Sequence, residues 1–334
     1  MKTLFRFVVI GLACVMAAWL LAAPAVLHGA GKDVNFSLDF LPDGFHAPFY
    51  VALENGFYTQ EGLNVRISRG YGSGDTVRKV AAGQFDIGLA HVVPLIAAKA
   101  NENAELQGVM EYMERDMLAV WVRDEGVIKT PKDLEGKNAA TSAGNAQYVF
   151  FPAFAKAAGF DASKVNWRVV DAALLGPMLI NKQVDVIPLY LLHGPRMIPQ
   201  AAERGIKLKS FPYVDYGLDT YAEAVFVRSE TLKKDPQMVA GFVRASLKGI
   251  QWAAERPDEA AKIVVKHNPE VGLEAAKGSW EMTKKNMFTE KAQRDGIGKF
   301  EAGKLRTTIE AVYNGLGLKR MPTNEEVATN QFVP

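Results

Sequence analysis

Beyond residue 30 the chain alternates two spacings of apolar side chains, every second position and then every third or fourth. Residues 34–41 (VNFSLDFL) put Val34, Phe36, Leu38 and Phe40 on alternate positions and predict a first strand. Pro48 then suits a first helical turn, Phe49, Ala52 and Leu53 fall at i, i+3 and i+4, and Gly56 suits the left-handed residue past a helix end. A helix over 48–54 follows. Strand 64–68, a glycine-rich loop at 70–74, helix 76–82 and strand 85–89 extend this to a βαβαβ unit, the pattern of an α/β fold with largely parallel sheets.

Two further apolar strands, 117–122 and 224–228, both run into Val-Arg and bracket the middle of the chain, so they read as two crossings between lobes. Between them, 129–134 leads to strand 137–141, a helix over 147–158 and strands near 167–170 and 184–188, a second and smaller βαβ unit. After the return, Asp235-Pro236 supplies a helix cap and first residue, and Met238, Val239, Phe242, Val243, Ser246, Leu247 and Ile250 recur at helical spacing. Helices are also predicted from Pro257 and over 300–313, and the polar tail from Thr323 reads as poorly ordered. The expected architecture is an α/β fold of two lobes, 33–118 with 225–334 and 119–224, joined by two hinge crossings. A ligand cleft then lies between the lobes, at the carboxyl ends of the strands.

Residues 1–30 change the picture of where the protein works. Lys2 and Arg6 precede an apolar run from Phe7 to Leu21, and Ala23-Pro24-Ala25 offers small residues for a peptidase, the layout of a secretory signal peptide. The run is shorter than the ~20 residues a spanning helix needs. Cys14, the single cysteine, lies inside that run with Gly11 three places ahead, where a lipoprotein cleavage box wants a branched apolar residue. The full chain has 39 basic and 37 acidic residues, and removal of the leader balances the two and leaves no cysteine. No long single-sign run suggests nucleic acid or a membrane surface.

The stretch Asp39-Phe40-Leu41-Pro42-Asp43-Gly44-Phe45-His46-Ala47-Pro48-Phe49-Tyr50, continuing through Asn55-Gly56-Phe57-Tyr58 to Glu61-Gly62-Leu63-Asn64-Val65, resembles the opening of one family of periplasmic binding proteins. Three later blocks resemble the same family in the same order: Ala82-Gly83-Gln84-Phe85-Asp86-Ile87-Gly88, residues 128–137 (IKTPKDLEGK), and residues 242–260 (FVRASLKGIQWAAERPDEA). Together they span most of the chain beyond the leader. That family includes binders of thiamine pyrimidine precursors, sulfonates, nitrate and flavins, and the fungal-type thiamine pyrimidine synthases share its fold. The resemblance implies a periplasmic, monomeric solute-binding subunit of an ABC importer, working with a membrane permease and ATPase and needing no cofactor.

Candidate ligand contacts lie where strands end at the cleft. Phe40, Asp43 and His46 follow the first strand; in the resemblance Phe40 stands where pyrimidine binders often have tryptophan, and His46 matches a position commonly histidine. Phe40 either stacks on a flat ring or packs in the core, and His46 either touches the solute or ties its own loop to the next helix. Ser73 and Gly74 sit in a loop before one helix, and Thr141, Ser142, Asn145 and Tyr148 in or just after the equivalent loop of the other lobe, where free N–H groups suit an acceptor. Tyr190 and His193 follow strand 184–188, His91 follows strand 85–89, and Tyr221 and Glu223 stand before the return crossing. A carboxylate among Tyr221, Ala222, Ala224 and Val225 needs a partner if buried, and an aminopyrimidine, a salt bridge or solvent would each serve.

Catalytic signals are sparse. The histidines at 28, 46, 91, 193 and 267 show no metal-ligand pairing, and no Gly-x-Ser-x-Gly elbow or phosphate loop occurs. The synthases carry a cysteine-rich run near residues 218–226, where this chain reads LDTYAEAVF. The aromatic candidates favour a small heteroaromatic solute of the thiamine precursor kind, while Arg115 and Arg196 keep a small anion such as a sulfonate or nitrate in play.

Overall fold

The computed structural model describes residues 31–334, so the signal-peptide reading and Cys14 lie outside the described residues. One sheet contains β1 (Lys32–Ser37), β2 (Leu63–Ser68), β3 (Ile87–His91), β4 (Leu106–Glu111) and β10 (Glu223–Arg228), in the order β2-β1-β3-β10-β4. The other contains β5 (Ala119–Arg123), β6 (Asn138–Thr141), β7 (Asn166–Val169), β8 (Val186–Pro188) and β9 (Leu208–Pro212), in the order β7-β6-β8-β5-β9. The two sheets have one topology. In each, three strands run parallel and the fourth place is taken by an antiparallel strand, β10 or β5, that arrives from the other sheet.

The chain passes between the sheets at 112–118 and 213–222, and the two passages are bonded to each other and to the strands they join. Tyr112 N–H donates to Glu223 C=O at 2.8 Å, Ala222 N–H to Met113 C=O at 3.2 Å, and Tyr213 N–H to Leu118 C=O at 2.9 Å. β10 begins at Glu223, which pairs with His91, and Ala224 pairs with Ala90. Asp116, in the first passage, is 6% exposed. Its carboxylate accepts from Leu118 N–H at 2.8 Å, from His91 Nε2 at 3.2 Å and from the Thr220 hydroxyl.

Apolar spacing explains the packing. β3 is buried at all five positions, as a strand covered on both faces requires. The periodic residues of helix Pro236–Glu255 face inward, with Phe242 ringed by Phe36 at 5.0 Å, Phe49 at 6.5 Å and Tyr58 at 5.0 Å. Gly249 lets that helix touch helix Ala47–Glu54, because a Cβ there would stand 2.2 Å from Pro48 C=O. Helix Ala302–Leu316 reaches the second half of the molecule through Gly315, where a Cβ would lie 2.5 Å from Ala153 Cβ.

One expectation fails. The tail from Thr323 is ordered and packed, because its polar residues satisfy one another while its few apolar ones are buried. Thr323 and Glu326 form a capping box over helix Asn324–Val327, and Arg320 pairs with Glu326 at 2.9 Å. Ala328 bridges to Gly108 on β4, Asn330 exchanges bonds of 2.9 and 2.8 Å with the Phe300 backbone, and Val327 and Val333 are buried. Strand β4, helix Val92–Glu102 and strand β9 also lack a clear signal in the apolar pattern. We predict that deleting residues 323–334 lowers the unfolding free energy by about 3 kcal/mol, from two buried valines at 1.5 kcal/mol or more each. Urea denaturation with an unchanged midpoint would refute this.

Candidate functional site

Loops at the strand ends of both sheets meet over a small cavity. The first half contributes Asp39, Phe40, Gly72 and Ser73, and the second Asn145, Ala146, Gln147, Leu189, Tyr190 and His193. Its volume is about 10 Å³, close to a single water sphere. Of the residues expected at a ligand, Phe40, Ser73, Asn145, Tyr190 and His193 border it. Asp39, Gly72, Ala146, Gln147 and Leu189 were not anticipated. Asp39 carried a signal, an acidic residue within the apolar run Leu38-Asp39-Phe40-Leu41 at a strand end.

The loop after β1 is held by its own side chains. Asp43 accepts from Gly44 N–H at 2.7 Å, and His46 Nδ1 accepts from Asp43 N–H at 3.1 Å. His46 therefore carries its proton on Nε2, which donates to Asp39 Oδ1 at 2.8 Å. His46 is thus the tie within its loop, and it aims the Asp39 carboxylate. Phe40 joins an apolar cluster with Trp121, Leu175, Leu189 and Met197 of the other half while its ring lies 5.6 Å from His193. Core packing and cavity lining coexist in that one side chain.

The two loops expected to clamp a ligand also clamp each other. Gly74 N–H donates to Gly144 C=O at 2.7 Å. Gly72 at φ 146° and Gly144 at φ 68° adopt backbones that favour glycine, and a Cβ would stand 2.5 Å from Ala143 C=O on the first and 2.5 Å from the Asp75 nitrogen on the second. Side chains follow the same seam: His193 Nδ1 lies 3.2 Å from Asp43 Oδ2, and Arg69 lies 3.8 Å from Asp171 at the rim. Asn145 caps helix Ala146–Ala158 through Tyr148 N–H at 2.9 Å and donates to Pro188 C=O at 3.1 Å. Ser73 Oγ accepts from His91 N–H at 3.1 Å, and Thr141 is fully buried.

Two candidates lie elsewhere. Tyr148 is 37% exposed and packs edge-on against Trp167 at 4.9 Å, because each helical residue turns about 100° and position 148 leaves the face that 146 and 147 present. Tyr221 belongs to the first core: its hydroxyl accepts from Glu301 N–H at 2.8 Å and its ring meets Phe300 at 5.6 Å.

Two residues lining the cavity carry buried polar atoms without a well-formed hydrogen bond, Tyr190 Oη and His193 Nε2, as do Ser142 Oγ and both oxygens of Glu223, whose carboxyl lies within reach of Tyr190. Such atoms are costly unless something binds them. Glu223 is fully buried. Burial, with the negative fields of Asp39, Asp116 and Glu111, pushes its carboxyl well above the ordinary value, although Tyr190 pulls the other way. The Tyr190 hydroxyl is likewise raised by burial, then by Glu223 and Asp39. Burial lowers His193 despite Asp43, so the ring is neutral, with Nδ1–H on Asp43 and a bare Nε2. Asp43 is pushed up by burial, yet its bond to His193, the positive field of Arg196 and the Gly44 N–H hold it below the usual range. His91 accepts from Val93 N–H at 3.2 Å through Nδ1, donates to Asp116, and lies 6.3 Å from the Tyr190 ring.

A buried acid with a raised value stabilises the fold below about 4.5, its ordinary value, and that contribution is lost as pH rises toward its folded-state value. Glu223→Gln is therefore predicted to raise the melting temperature at pH 8 and to have little effect at pH 4. Calorimetry showing an equal or lower melting temperature at pH 8 would contradict a neutral Glu223.

Comparison with known proteins fits this geometry. Over 244 residues the chain is 27% identical to the formylaminopyrimidine-binding protein of Halalkalibacterium halodurans, covering 72% of each chain. It is 23% identical to the riboflavin-binding protein RibY of Chloroflexus aurantiacus, covering 91% of this chain and 86% of that one. Synthases of 4-amino-5-hydroxymethyl-2-methylpyrimidine phosphate are also among the relatives. The fold is shared with the alkanesulfonate-binding protein SsuA of Xanthomonas axonopodis pv. citri, at a TM-score of 0.70 and 12% identity over 90% of this chain and 100% of that one. No helix among the described residues is long and apolar enough to cross a membrane. The family model described as NMT1/THI5 like matches residues 44–260, so the two α/β lobes with a polar cavity at their seam belong to a member of the NMT1/THI5-like family.

Proposed function

We propose that the chain is the extracytoplasmic solute-binding subunit of an ABC-type importer, and that it takes a flat nitrogen heteroaromatic of the thiamine pyrimidine class between its lobes. The observation that carries this reading is the set of unpartnered buried atoms on Glu223, Tyr190, His193 and Ser142 beside Asp39. A neutral carboxyl presents a donor and an acceptor side by side, the complement of an amino group next to a ring nitrogen. Tyr190 and His193 bring two near-parallel rings 6.2 Å apart to the cavity, and Phe40 an apolar ring beside them.

The charge pattern disfavours an anion. Among the described residues no Lys or Arg borders the cavity. Arg196 acts through its charge on Asp43 and His193 without bordering the cavity, and Arg115 borders a different cavity with Glu114, Asp116 and Asp219. The synthase reading is weakened by Leu218-Asp219-Thr220-Tyr221-Ala222 leading into β10 with no thiol for that chemistry. We take 33–118 with 225–334 and 119–224 as the moving lobes, residues 1–30 as the export signal to the periplasm, and a monomer delivering solute to a permease and its ATPase. A cavity of about 10 Å³ admits no heterocycle, so loading requires the lobes to part at Gly74 and Gly144.

The test is a thermal-shift and calorimetric screen of the chain lacking residues 1–30. An aminopyrimidine at 100 times its Kd is expected to add about 2.7 kcal/mol of stability, and nitrate or an alkanesulfonate nothing. Tyr190→Phe should weaken binding about fivefold to tenfold, as loss of one hydrogen bond does, with Phe40→Ala weaker by at least as much. Stabilisation by a sulfonate or nitrate alone would overturn the solute class.

A further inference from the structure

His46, His91 and His193 are all buried, and one of the three carries its proton the other way round. His46 Nδ1 accepts from Asp43 N–H at 3.1 Å and His91 Nδ1 from Val93 N–H at 3.2 Å. Each of these rings therefore holds its hydrogen on Nε2, which donates to Asp39 at 2.8 Å in the first and to Asp116 at 3.2 Å in the second. Both nitrogens of both rings are spent. In His193 it is Nδ1 that meets a carboxylate, Asp43 Oδ2 at 3.2 Å, and Nε2 is buried with no partner on a residue that borders the cavity. Asp43 itself does not border the cavity, and its other oxygen is held by Gly44 N–H at 2.7 Å. Around the ring stand Phe40 at 5.6 Å and Tyr190 at 6.2 Å, while burial and Arg196 lower its basicity against the pull of Asp43 and Asp39. A neutral imidazole has a single N–H, and an ionised carboxylate only accepts, so that hydrogen sits on Nδ1.

We propose that Asp43 is a specificity-determining residue that never touches the solute: it fixes His193 in one tautomer, makes Nε2 a hydrogen-bond acceptor, and so requires a donor on the solute edge that meets it. This rests on the reading of the cavity as a solute site. The Asp43–His193 bond joins the loop after β1 to the loop after β8, so the contact that shuts the seam also sets the ring. An exocyclic amino group suits it, because such a group carries a hydrogen for each of two acceptors. Asparagine at position 43 keeps the shape and reverses the polarity. An amide offers one oxygen and one NH2 where the carboxylate offers two oxygens. Gly44 N–H is a fixed donor and takes the oxygen, as a helix-capping asparagine allows. The NH2 then faces His193 Nδ1, which becomes the acceptor, and the ring's hydrogen moves to Nε2. A change outside the cavity thus turns an acceptor inside it into a donor.

Nitrogen NMR of the imidazole rings reads the tautomer without any solute, in the chain lacking residues 1–30 at about pH 7.5, above the ordinary histidine value. The His193 signals are identified by their loss in His193→Gln. Wild type should show the hydrogen on Nδ1 of His193, opposite to His46 and His91, and Asp43→Asn should show it on Nε2. A hydrogen on Nε2 in the wild type, or the same tautomer in both proteins, overturns the proposal; should Asp43→Asn fail to fold, the wild-type tautomer decides. Calorimetric titration then compares 4-amino-2-methylpyrimidine with 4-methoxy-2-methylpyrimidine, which has no donor. The ratio of amino to methoxy affinity should fall at least about tenfold from wild type to Asp43→Asn, since a buried acceptor has been exchanged for a donor. Glu223 favours the amino probe in both proteins, so the change in the ratio isolates His193. An unchanged ratio overturns the proposal. If neither pyrimidine binds, the heteroaromatic reading of the solute fails, and the tautomers alone uphold or overturn the control of His193 by Asp43.

Discussion

The carboxylate of Asp116 is the constraint on which the rest of the site depends. Two strands leave one sheet for the other, and their backbones must cross the interior where no ladder satisfies every N–H. Asp116 accepts from Leu118 of the first passage, Thr220 of the second and His91 at the end of β3, so one buried anion fixes three chain segments. Fixing His91 also fixes the surface beside Tyr190, and pairing of Glu223 with His91 in β10 sets the depth of the free carboxyl. Removing this acceptor would orphan groups on both passages at once.

The seam follows from a second constraint, that two backbones approach within hydrogen-bond distance. Gly72, Gly74 and Gly144 are required there for space, and two of them for conformation. Side chains at those positions would prop the seam open, so the glycines set the height of the cavity while Phe40, seated among Trp121, Leu175 and Met197, sets its lateral position. Loops that read in sequence as ligand clamps are therefore also the latch.

Much of the fold was legible because its causes are local. Strands β1, β2 and β3, the helices beginning at Ala47, Pro236 and Pro257, and the two Val-Arg strands carry their periodicity and caps within a few residues. The tail was misread because polarity was taken for solvation, whereas Thr323, Arg320, Glu326 and Asn330 satisfy one another and leave Val327 and Val333 to bury. Of the residues expected at a ligand, Phe40, Tyr190 and His193 follow strand ends and border the cavity, but a strand end gives a position without a facing. Tyr148 is lost by one helical step and Tyr221 to the Phe300 contact. Asp39 and Gln147 were missed since their roles arise only when distant loops meet.

The hydrogen-bonding state of the seam decides which groups there are left to meet another molecule. A lobe closing on an anion needs donors and fixed positive charge at the seam, and the helix ends here do offer N–H groups. Gly74 N–H and Tyr148 N–H, however, are already consumed by Gly144 C=O and Asn145 Oδ1. The unbonded buried atoms are of two kinds, the acceptors His193 Nε2 and the Glu223 oxygens, and the hydroxyls of Tyr190 and Ser142. Two sheets of one strand order can thus carry different seams, according to which groups their loops leave unbonded.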